Sequence, residues 1–169
     1  RALQGMDMEL GSYALLQPYR DLVDEYEMKD GKMIGESPLY NAADPYFNRD
    51  PRLDLTMKLP NEVWKNPAGA VWTPANSSNT GFYMEKYVDL SRAPFTPSTT
   101  PTQTDQDYIH LRYADVLLMA AELGSSNAVK YYNQVHLRAD NSAVPAVAVS
   151  KADILAERRL EFAGEGLRY

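Results

Sequence analysis

The 169-residue sequence contains no cysteine. That excludes disulfides, thiolate metal ligands and a cysteine nucleophile. It leaves the compartment open, because exported bacterial proteins can also lack cysteine. Basic charge is scarce too: 17 Lys and Arg stand against 23 Asp and Glu, a formal net charge of -6. Binding a phosphate backbone requires a basic face, so nucleic acid is excluded as a partner. No apolar run is long enough to cross a bilayer. The opening Arg1-Ala2-Leu3-Gln4-Gly5 does not read as an export signal. Only two histidines occur, His110 and His136, with no HExxH pattern. No metal site and no cofactor is therefore expected. The serines lie in turns without a partnered histidine. The glycines of "GEG" and "DG" are turn and cap signals, not a phosphate loop.

Hydrophobic residues make up 44% and charged residues 24%, enough for a packed core in a chain of one-domain length. Tyrosine is abundant at 12 residues, alongside two tryptophans and 11 prolines. Residues 1–105 read as a loop-rich part, with turn chemistry at Lys29-Asp30-Gly31, Asp44-Pro45, Asp50-Pro51, Asn66-Pro67 and Ala93-Pro94. The alternation in "LDLTMKLP" predicts a short strand with Leu53, Leu55, Met57 and Leu59 on one face. A short helix is expected between Asp7 and Tyr26, and "TPSTTPTQTD" (residues 96–105) reads as an extended connector.

Residues 106–169 read as helical. "YIHLRYADVLLMAAEL" places Leu111, Ala114, Leu118 and Ala121 on one side, widened by Val116, Leu117 and Ala120. Gly124 is the expected stop. Ser125 to Asn127 offer a cap for "AVKYYNQVHLRA", where Ala128, Tyr132, Val135 and Ala139 align. A short turn makes these two helices antiparallel neighbours. Small residues at Ala120, Ala121, Ala128 and Ala139 let the backbones approach. The Ala-x3-Tyr-x2-Val spacing is like the second helix of a tetratricopeptide unit, although the first helix lacks that repeat's tryptophan signature. Ser150 to Asp153 resembles a capping box for a third helix carrying Ile154, Leu155, Arg158 and Phe162, with Gly164 as its stop. The expected fold is mainly α, with tetratricopeptide-like helix pairs and an irregular part carrying short strands, both within one domain.

The closing "ERRLEFAGEGLRY" crowds charge into an apolar helical pattern. One reading is solvated pairs one turn apart. The sharper reading is a partly buried ionic network of Arg112, Asp115, Glu122, Glu157, Arg158, Arg159 and Glu161. It would lock the third helix to the first pair, through Arg158 or Arg159 with Asp115 or Glu122. Paired carboxylates also suit a glycosidase. However, arginine neighbours depress carboxyl pKa values, whereas a general acid needs a raised one. No catalytic residue is assigned, and an enzyme is not expected.

Four segments together resemble the SusD/RagB family, and they stand in that family's order. They are "YNAADPYFNRDPRLDLTMKLP" (residues 40–60), "IHLRYADVLLMAAEL" (residues 109–123), "AVKYYNQVHLRAD" (residues 128–140) and "ILAERRLEFAGEGLRY" (residues 154–169). The "RYADVLLM" and "ERRLEFAGEGLR" stretches are the specific ones. The resemblance implies a non-enzymatic bacterial surface lipoprotein of the outer membrane. Such a protein captures nutrient, usually glycan, for a SusC-like TonB-dependent transporter. It also implies a longer polypeptide with a lipidated N-terminus, of which these residues are an internal or C-terminal-side piece.

Sugars present apolar C–H faces and a rim of hydroxyls, so their sites pair aromatic platforms with amide, carboxylate or Arg groups. The loop-rich part supplies both. Trp64, Trp72, Tyr40, Tyr83, Tyr87 and Asn76 are the candidate ligand residues. The competing role for each ring is packing loops onto the core. Peptide cargo stays open, as does a tetratricopeptide-like scaffold that binds protein or peptide in a helical groove.

Overall fold

A computed structural model describes residues 16–73, 78–92, 109–138 and 144–166. Helix α1 (Arg20–Glu25) and helix α2 (Arg52–Thr56) precede four two-residue strands: β1 (Met57–Lys58), β2 (Trp64–Lys65), β3 (Val71–Trp72) and β4 (Tyr83–Met84). A 3-10 turn at Leu90–Arg92 follows, then α3 (Tyr113–Glu122), α4 (Ala128–His136) and α5 (Lys151–Glu161). The chain divides into two compact units, Arg1–Val23 with Asp54–Asp107, and Asp24–Leu53 with Tyr108–Tyr169. Residues 24–53, which the sequence reading leaves in the loop-rich part, group with the helices.

In the helical unit, α3, α4 and α5 bury Ala114, Leu117, Leu118, Ala121, Tyr132, Val135, Ile154 and Phe162 in one core. The antiparallel α3–α4 turn is closed by Gly124, at φ 82. Its N–H donates to the Ala121 carbonyl, and Ser125 N–H donates to Ala120. That pair is a Schellman ending, whose left-handed residue favours glycine. The box that starts α5 is complete: Ser150 Oγ accepts from Asp153 N–H, and the Asp153 carboxylate accepts from Ser150 N–H at 2.7 Å. These bonds hold the Asp153 carboxyl below its usual range. Asn133 stitches the following loop by accepting from Ala146 N–H and donating to Ala146 O.

Two expectations need correction here. Leu111 is 57% exposed because Arg112 is extended and α3 begins only at Tyr113. Val116 faces outward too, so the apolar stripe is narrower than the sequence implies. Ala139 lies outside the described residues.

The expected strand from Leu53 is also corrected. Residues 52–56 are helical. Asp50 Oδ1 accepts from Arg52 N–H at 2.8 Å, and Pro51 stands immediately before the first helical residue. A capping aspartate followed by proline starts a helix whatever the alternation says. The turn carries Leu55 outward, 68% exposed, while Leu53 is buried.

In the other unit, β1 pairs antiparallel with β4 (Met57 opposite Met84, Lys58 opposite Tyr83), and β2 pairs with β3. Asn66 closes the β2–β3 hairpin: its N–H donates to Ala70 O at 3.0 Å, and its side-chain oxygen accepts from Ala70 N–H at 2.9 Å. That closure places Trp64 directly opposite Trp72.

Candidate ligand-binding cleft

Beside the β1–β4 pair lies a cleft of about 310 Å³, at the small end of ligand-binding clefts. Leu59 and Pro60 give it an apolar wall, and Gly81 sits at its margin. Asn61, Glu62, Thr73 and Tyr83 supply polar groups. Asn61 adopts the left-handed conformation, at φ 70, which asparagine tolerates better than most residues. Glu62 is held by the backbone: its Oε2 accepts from Leu59 N–H at 2.8 Å. Thr73 is exposed and follows Trp72 directly.

The candidate ligand residues fall in different places. Trp72 and Tyr87 are half-buried, with Tyr87 at φ 71, a conformation strained for a bulky side chain. Tyr83 is largely buried yet lines the cleft, and its hydroxyl accepts from Ser78 N–H at 3.3 Å. Tyr40 is half-buried in the other unit. Asn76 lies outside the described residues.

Trp64 is a correction. It is 0% exposed, set edge-on to Tyr83 with ring centroids 6.2 Å apart, and Lys58 Nζ lies 5.4 Å from its ring centroid. A unit built from two-residue strands has few side chains to bury, so its largest ring becomes core. Glu62 and Thr73 were not singled out as ligand residues. The only sequence signal for them was nearness to the two tryptophans.

The charged residues assemble in the helical unit around two buried carboxylates of α5. Glu161 Oε1 accepts from Arg112 Nη1 at 2.7 Å and Arg138 Nη2 at 2.5 Å, and its Oε2 accepts from Arg52 Nη1 at 3.3 Å. Arg52 Nη1 also donates to Glu157 Oε1 at 2.5 Å and Nη2 to Asp50 Oδ2 at 2.7 Å. Arg112 forks onto Glu165, at 2.8 Å to each oxygen. His136 Nδ1 lies 3.0 Å from Glu157 Oε2. Arg158 Nη1 is 2.6 Å from Asp115 Oδ1, in an ion pair not aligned as a hydrogen bond.

Two residues placed in this network at the sequence level lie outside its buried part. Arg159 pairs with Glu25, both about 40% exposed, and Glu122 meets the exposed Lys151 at 3.4 Å. Five members escaped the sequence reading: Asp50 and Arg52 in "NRDPRL", Arg138, His136, and Glu165 inside a "GEG" read only as a turn.

Burial opposes charge on Arg52, but Asp50 and Glu157 overcome it and hold the guanidinium above its usual pKa. Burial likewise opposes ionisation of Glu157, yet His136 and Arg52 keep that carboxyl below its usual range. The hydrogen bond to Glu157 raises His136. A carboxylate held ionised by arginine cannot serve as a general acid near neutral pH. The cluster's geometry suits a lock between segments, since α5 is tied to the first residue of α2, to Arg112 before α3 and to Arg138 after α4.

No match was found among curated proteins. Among solved structures, a SusD-like protein from Bacteroides fragilis superposes with TM-score 0.74 at 22% identity, over 97% of this chain and 38% of that one. A SusD-like carbohydrate binding protein from the same organism gives TM-score 0.69 at 26% identity, over 99% of this chain and 37% of that one. The chain thus spans well under half the length of these structures. The SusD family model matches residues 3–169. Matched over nearly its whole length, and folded as these structures are, the chain belongs to the SusD family.

Proposed function

We propose that the chain is part of a surface glycan-binding protein. It captures oligosaccharide and passes it to a SusC-like TonB-dependent transporter in the outer membrane. An N-terminal lipid anchors the protein on the cell-surface side. It works by binding alone and catalyses no reaction. The observation that carries this reading is family membership over residues 3–169. It is supported by the likeness to a SusD-like carbohydrate binding protein of Bacteroides fragilis. Trp72 supplies the stacking face, with Tyr87 as a second ring of the same unit. Asn61, Thr73 and Tyr83 supply hydrogen bonds to hydroxyls. The buried charge cluster holds the helices and takes no part in the chemistry.

The test is affinity electrophoresis of the protein through gels containing single polysaccharides, with co-purification of the transporter from outer membranes as the second readout. Retardation by at least one glycan is expected. Unretarded migration in every gel would remove the reading.

One observation favours a second reading, a scaffold for protein or peptide. Tyr113, Val116 and Leu123 present an exposed apolar face on and just after α3. Peptide binding that is lost on Val116→Asp, with no glycan bound, would select it.

A further inference from the structure

We infer that the cleft selects uncharged glycans and rejects those carrying uronate or sulfate groups. This rests on the glycan-capture reading and adds a charge preference to it.

Holding an anion in a small cleft requires a free cation or a set of unused N–H donors aimed at it. The cleft offers a carboxylate instead. Glu62 is 38% exposed on its side chain, and it is pinned there by the Leu59 N–H. The ammonium beside Glu62, that of Lys58, is already engaged. It lies 2.9 Å from Glu85 Oε2 and 3.8 Å from Glu62 Oε2, with only 14% of its side chain exposed. It is also drawn toward the Trp64 ring, 5.4 Å from the centroid. Glu62 and Glu85 therefore share the Lys58 ammonium, and among the described residues that line the cleft the one charged group is a carboxylate. Lys65, exposed on β2, is not one of the residues that line the cleft. The remaining polar groups, Asn61, Thr73 and Tyr83, are uncharged and suit hydroxyls. A uronate or sulfate entering here would meet a like charge and lose its hydration without replacement.

The inference is tested by titrating the protein with neutral gluco-, manno- and galacto-oligosaccharides and with the uronate-bearing counterpart of each, at low and high salt. The neutral member of a bound pair should bind roughly three- to tenfold tighter at low salt, and the ratio should shrink as salt screens the repulsion. Glu62→Gln keeps an oxygen for the Leu59 N–H and should bring the ratio toward one. Thr73→Lys, at an exposed position, should reverse it. Circular dichroism melts report whether either variant has lost its fold.

Equal or tighter binding of the uronate form to the unsubstituted protein overturns the charge preference while leaving glycan capture standing. So does a ratio unmoved by both folded variants. If no neutral or charged oligosaccharide binds at all, glycan capture fails and this inference fails with it.

Discussion

Glu161 shows what a single buried carboxylate can organise. Three arginines from three separate stretches converge on it, and its side chain is 2% exposed. Truncating one member of such a cluster strands the others in a poorly solvating site. Glu161→Ala should therefore cost about 3–5 kcal/mol in chemical denaturation. Arg159→Ala should cost less than about 1 kcal/mol, because its pair with Glu25 is half in water. Comparable losses in the two variants would contradict the assignment. Periodicity placed both acids on one side of α5, and that much could be read from "ERRLEF". Which arginines reach them could not, because Arg52 arrives from more than a hundred positions away and Arg159 turns to Glu25 instead. Composition likewise marks tryptophan as useful without saying whether a ring is outside, like part of Trp72, or inside, like Trp64.

Among the elements, the long helices were legible and the short pieces were not. The stripes of α3, α4 and α5 repeat over several turns, and Gly124 and Ser150 punctuate them. Residues 53–60 offered only four alternating positions, too few to outweigh a cap formed by Asp50 and Pro51. The Ser150 box predicts that Ser150→Ala lowers stability by about 1 kcal/mol, measured by thermal or urea unfolding, while Ser126→Ala changes it little.

The link between α4 and α5 also sets a pH dependence. His136 is raised above its ordinary 6.5 chiefly by the hydrogen bond to Glu157. Glu27, from the same unit, is raised by burial. Groups raised by folding stabilise most at low pH, so both contributions fade as pH climbs through their folded values. Glu157 has the opposite sign, and its contribution is lost as pH falls through its lowered value. Stability should peak in mildly acidic to neutral solution and decline on the alkaline side of 6.5. His136→Gln should flatten that alkaline decline. An unchanged slope in urea unfolding across the range would refute the role of His136.

Across the 169 residues, a formal net charge of -6 disfavours a polyanionic partner. Family membership was legible because its motifs lie in the segments that carry the buried charges and the helix stops. The cleft was not legible, because it is made by turns whose paths depend on Asn61, Asn66 and the strand pairings, none of which leaves a periodic mark. The central claim is that an aromatic surface of the loop-bearing unit holds sugar. The most direct measurement is calorimetric titration of a gel-retarding oligosaccharide into the protein and into Trp72→Ala. Loss of one stacking face predicts roughly a five- to tenfold weaker Kd with an unchanged melting temperature. An unaltered Kd in the folded variant would contradict the account.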